Sequence, residues 1–152
     1  MTKKKMDQMF REAFNYLFTD YDFSVISNAN ENWGYSLVAA NLTTGIEIIC
    51  EYREAFIQVI LFRLVDGEIV NNINSAIKNN DPILGHGLGW IIKLRNPEAQ
   101  IKSAYEYETN ISNYTTMVAE KLKAYASDVL SGDFSIFSDL DTIVKENYKK
   151  YK

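Results

Sequence analysis

Residues 34 to 69 alternate extended, apolar-rich runs with connections only a few residues long. That spacing constrains the fold more than any other feature of the chain. "GYSLVAANL" (34–42), "IEIICEYRE" (46–54) and "AFIQVILFRLV" (55–65) are rich in the β-branched and aromatic residues that suit a pleated surface. "TTG" (43–45) reads as a tight turn. Asp66 and Gly67 form the dipeptide favoured by a two-residue hairpin, whose central positions both take positive φ. Parallel neighbours need a crossover of about a dozen residues or more. There is no room for one here, so the runs predict an antiparallel meander.

Three further runs extend it: "FSVIS" (23–27), a short "EIVNNI" (68–73) after the hairpin, and "WIIKL" (90–94). The total is about five to six strands. In 46–54, alternation puts Ile46, Ile48, Cys50 and Tyr52 on one face. Glu47, Glu51 and Arg53 fall on the other, with Ile49 among them. Residues 55–65 are apolar on both faces, which predicts the central strand.

Helices flank the strands. Met6, Met9, Phe10, Ala13, Phe14, Leu17 and Phe18 recur at helical spacing and predict one helix over 4–20. Asn96, Pro97 and Glu98 are good helix-start residues and predict a helix from 97 to about 108. A second runs from about 114 to 130, with Val118, Leu122, Tyr125 and Val129 on one stripe and Gly132 placed to end it. A last helix carries Leu140, Ile143, Val144 and Tyr148. Asp133 or Ser138 is its expected cap, with Asp141 completing a capping box from Ser138. The expectation is a single α+β domain over 1–152: an N-terminal helix, an antiparallel β-meander and C-terminal helices packed on one face.

The inventory of reactive side chains is short. With one Cys, no disulfide within the chain is possible, and a reducing cytoplasm is the natural setting. Cys50 falls on the apolar strand face with no nearby cation to activate it, so it reads as a buried, inert thiol. The basic start "MTKKKMDQMFREAFNYLF" has charges at Asp7, Arg11 and Glu12 where a signal peptide would be apolar. The run "AFIQVILFRLV" is too short to span a bilayer. The net charge of −4 hides an uneven spread: the basic ends at 3–5 and 145–152 leave residues 6–144 at −10. An acidic body repels a phosphate backbone, so neither nucleic acid nor membrane is an expected partner.

One His and one Cys, 36 residues apart, give no zinc spacing, and neither a metal nor another cofactor is expected. The His lies in "DPILGHGLGW" (81–90). Gly85, Gly87 and Gly89 miss the dinucleotide pattern by one residue, and a strand rather than a helix is expected to follow. Leu84, Leu88 and Trp90 read as anchors pinning a loop to the core, with His86 at a turn. His86 and Trp90 are therefore the loop candidates for function.

Acids and tyrosines offer a different kind of site. Glu47 and Glu51 line the outer face of a strand, and "SAYEYETNISNY" adds Tyr105, Glu106, Tyr107 and Glu108. Tyrosine is enriched at interfaces, and an acidic surface complements a basic partner.

The order of elements, with "GIEIICEYRE" and the closing "DVLSGDFSIFSDLDTIVKENY", resembles small acidic bacterial α+β proteins of unassigned function. Some of these accompany toxins as immunity proteins. The richness in Asn, Ile, Lys and Tyr resembles the composition encoded by an AT-rich bacterial genome. The leading expectation is a non-enzymatic protein-binding module, with an immunity or toxin-neutralising role as its sharpest form, whose acidic, tyrosine-bearing surface occludes a basic partner. Glu47, Glu51, Tyr105, Glu106, Tyr107 and Glu108 are its expected partner-binding residues. Two other readings stand beside it: a small enzyme using His86 and a carboxylate, and a homo-oligomeric structural or phage-derived protein.

Overall fold

The computed structural model describes residues 2–54, 56–99 and 110–151. Helices α1 (Lys3–Ala13) and α2 (Tyr16–Asp20) lead into β1 (Ser24–Asn30), β2 (Gly34–Ala40), β3 (Thr44–Glu51) and β4 (Phe56–Arg63). Then come α3 (Ile73–Asn79), β5 (Gly85–Gly87), α4 (Leu88–Arg95), α5 (Ile111–Leu130) and α6 (Phe137–Lys150). The strands lie side by side in chain order, every neighbouring pair antiparallel. The fold class is α+β, as the short connections predict.

Local chemistry explains the turns. Between β2 and β3, the Asn41 side-chain oxygen accepts from the amides of Thr43 (3.0 Å) and Thr44 (2.8 Å). The turn therefore falls earlier than the predicted 43–45, and Thr44 and Gly45 already belong to β3. Asp66 (φ 52°) and Gly67 (φ 78°) both take positive φ, as a hairpin turn of this kind requires. The strand predicted over 68–73 does not form: only the bridge between Val65 and Glu68 follows the turn. Asn71 and Asn72 divert the chain. Their side-chain oxygens accept from the amides of Ile73 and Leu84, starting α3 and closing the loop instead of extending a ladder.

The sheet differs from expectation in two more places. β3 is the central strand, not β4. β4 pairs with β3 along its whole length but with β5 only at Ile60, Leu61 and Phe62. The "WIIKL" run lies in α4, not in a strand. Leu88, Ile91 and Ile92 bury at helical spacing, and the end of the helix is tied to α5, where Arg95 donates to both carboxylate oxygens of Asp128 and to the carbonyl of Tyr125. Residues 97 and 98 form a turn, not a helix start, Ala99 is not helical, and residues 100–108 of that predicted helix lie outside the described residues.

The predicted N-terminal helix is broken at Phe14 and Asn15 into α1 and α2. α6 begins without a side-chain cap. Asp133 instead accepts from the Ser135 amide, and Asp141 is used elsewhere. Gly132 (φ 95°) follows the end of α5, as its placement predicts.

The core occupies one side of the sheet. Tyr35, Leu37 and Ala39, then Ile46, Ile48 and Cys50, then Ile57, Val59 and Leu61 all point inward. They meet Phe10 and Phe14 of the N-terminal segment, Val118, Leu122 and Val129 of α5, and Phe137 and Leu140 of α6. Burying each large apolar side chain contributes about 1.5–3 kcal/mol. Tyr35 shows how a polar tip is accommodated. Its ring stacks on Phe10 at 4.5 Å and its hydroxyl donates to Asp7 at 2.7 Å. Burial raises the Cys50 thiol pKa to about 11, which leaves it protonated and unreactive at neutral pH.

Candidate functional site

His86 does not sit at a turn. It occupies the middle of β5, paired with Leu61, and shares that residue's inward face. Its side chain is 1% exposed. Gly85 allows β5 to lie close: a Cβ there would fall 2.5 Å from the Phe62 ring. The imidazole meets the Phe137 ring edge-on at 4.8 Å. Its Nε2 lies 2.6 Å from Asp141 Oδ1, and the other carboxylate oxygen of Asp141 accepts from the Ile83 amide. Burial pushes the His86 pKa below the usual imidazole value, against the opposing pull of Asp141. A carboxylate can only accept here, so Nε2–H donates to Asp141, and the contact bolts β5 to α6. In this arrangement the imidazole faces packed protein.

The acidic pair behaves differently. Glu47 and Glu51 project from the face of β3 opposite Ile46, Ile48 and Cys50. Register brings Val38, Glu47 and Ile60 into one cross-strand row, then Ser36, Ile49 and Gln58, then Glu51 and Phe56. All of these side chains are half-buried or exposed, and Phe56 is 50% exposed. Among the described residues, only the far end of this face is covered, where Ile69 and Leu64 lie over Gly45. Tyr105, Glu106, Tyr107 and Glu108 lie outside the described residues.

Trp90 belongs to a third feature. It is half-buried in α4 and lines a cleft of about 350 Å³ between that helix, α5 and the near end of β4. Phe56, Val59, Leu88, Ile92, Met117 and Val118 make the cleft apolar, and Lys93 and Lys121 stand in its lining. Lys93 Nζ lies 5.4 Å from the centre of the Trp90 ring, and Lys121 Nζ lies 5.6 Å from that of Tyr125. Neither lysine forms an ion pair among the described residues.

The sequence singles out Glu47, Glu51 and Trp90 but not Asp141, Lys93, Lys121 or Met117, which the fold brings into these features. Asp141 reads locally as a helix-start acid, and its partner is 55 residues away. The cleft is assembled from three elements whose register only the fold supplies. Among the described residues, no cluster of His, Cys, Asp and Glu has the arrangement of a metal site, and no helix is long and apolar enough to cross a membrane. Comparison with family models, curated proteins and solved structures finds no match.

Proposed function

We propose that this chain is a non-enzymatic protein-binding module that uses the uncovered face of its sheet to mask a basic partner, in the manner of a toxin-neutralising protein. One observation carries this reading. α1, α5 and α6 all pack on the inward face of the sheet, leaving Glu47 and Glu51 among Val38, Ile49, Phe56 and Ile60 on an accessible surface. Acids interspersed with aliphatic and aromatic contacts give a patch both steering charge and area to bury. The burial of His86 against Phe137 supports this reading over a small enzyme built on His86.

The test compares the wild-type chain with Glu47→Lys/Glu51→Lys in co-purification from the native cell, then in calorimetry with the purified companion. The expected outcome is a basic protein held by the wild type and lost from the variant. Recovery of the same companion by both would sink the acidic-face reading. A metabolite retained in place of a protein would sink the binding-module reading.

A further inference from the structure

The cleft beside β4 borders an unfinished strand edge. β5 pairs only as far as Ile60, because the chain turns into α4 at Leu88. Residues 56–59 consequently have no partner strand on that edge among the described residues. The Arg63 amide donates toward β5, to Leu84, and strand alternation then aims the backbone groups of Val59 and Ile57 the same way. The Ile57 amide is already satisfied by the Tyr114 hydroxyl at 3.2 Å. Among the described residues, no backbone partner meets the Ile57 carbonyl or the Val59 N–H, an acceptor and a donor bracketing Gln58. One residue of an incoming parallel strand, giving its own N–H and C=O, satisfies both.

We propose that this edge and its cleft form a docking site for an extended peptide of alternating apolar and acidic residues, contributed by a partner protein and added to the sheet as a short strand. Backbone pairing supplies affinity in such strand addition, and pockets for alternate side chains supply specificity. Here an apolar side chain enters the cavity between Trp90, Ile92, Met117 and Val118. Its acidic neighbours meet Lys93 and Lys121, which have no carboxylate of their own among the described residues. Lysines beside an open edge also repel basic strands, so the same two charges select the partner and guard against unwanted pairing. At about 350 Å³ the cavity is near the small end of ligand pockets, roughly 300–1,000 Å³, and its apolar lining has few polar groups to orient a small molecule. The open backbone beside it favours a peptide. This site borders the acidic sheet face at Phe56 but is built on α4, α5 and the strand edge, and it does not depend on that reading.

The experiment is selection of a displayed random octapeptide library on the full chain, followed by calorimetry with the enriched peptides. Convergence on alternating apolar and acidic residues is expected. Lys93→Glu/Lys121→Glu replaces attraction with repulsion and should weaken binding by about tenfold or more. An enriched peptide carrying N-methyl groups on alternate backbone amides should lose binding in the phase that removes the strand-pairing N–H. Glu47→Lys/Glu51→Lys should bind the peptides as the wild type does. Circular dichroism melts confirm that both variants are folded. Four results would overturn the proposal: no enrichment, enrichment of basic or helix-patterned peptides, equal binding to the Lys93→Glu/Lys121→Glu variant, or indifference to N-methylation in both phases. Displacement of the peptide by octanoate at comparable affinity would reassign the cleft to small amphipathic carboxylates and overturn it as well.

Discussion

The two ends of β4 belong to one strand and pair with the same central neighbour, yet their other edge is finished in opposite ways. At Ile60, Leu61 and Phe62 that edge is closed by a three-residue strand, and the closure is bolted by the buried contact between His86 and Asp141. At residues 56–59 the edge faces a cleft, and Phe56 on the outer surface is half exposed. One end is built to hold together, the other to remain accessible. Three residues of pairing are enough to close an edge when a buried side chain anchors them. Where that anchor ends, no further strand covers the edge among the described residues.

Substitutions can break this contrast at its strongest point first. Leu61→Ala removes a fully buried side chain from the closed end and should cost about 3 kcal/mol in denaturant unfolding. Phe56→Ala at the open end should change stability by less than about 1 kcal/mol, because much of its ring already meets solvent. Comparable losses at both positions would erase the distinction.

His86→Ala leaves a cavity beside Phe137 and strips Asp141 of a hydrogen-bond donor, so a loss of about 2–3 kcal/mol is expected by the same measurement. The pH response sharpens the point. The folded pKa of His86 lies below its ordinary 6.5, so in the window beneath 6.5 the unfolded chain binds more protons than the folded one. The contribution of His86 to stability is therefore fully present above 6.5 and declines as pH falls through that window. Melts across this range should show an acid-side loss in the wild type that exceeds the loss in His86→Gln.

The smallest effect concerns exchange rather than folding. The Leu61 amide lies in the paired ladder with His86 and should exchange with solvent deuterium far more slowly than the Val59 amide at the open edge. Equal protection at the two sites would mean that the edge is not open in solution.

The two ends of β4 were unequally legible in the sequence. The alternation of Ile46, Glu47, Ile48 and Cys50 announces β3 and its two faces, because a half-buried strand has a period of two. Asp66 and Gly67 announce their turn through the positive φ that they accommodate. "WIIKL" has no such signature: a short apolar run fits a buried strand or a buried helix equally. The deciding contact, Arg95 with Asp128, lies 33 residues away. His86 was misplaced for the same reason. The glycines around it mark turns more often than strands, and its partner reads locally as an acid suited to a helix start. The cleft was the least visible feature. Phe56, Trp90, Met117 and Lys121 each look ordinary in their own segments, and only packing makes them neighbours.

The unbroken side-by-side order of the five strands has a kinetic consequence. The three hairpins from β1 to β4 close over short loops, so most of the sheet can assemble from contacts near in sequence, which favours rapid folding. The bolt between His86 and Asp141 spans 55 residues and requires α6 to have docked. Contacts of long sequence separation tend to form late, and one formed after the transition state slows unfolding more than it speeds folding. The short strand at the closed edge thus serves as a late latch on the lifetime of the folded chain, set after the sheet that it secures.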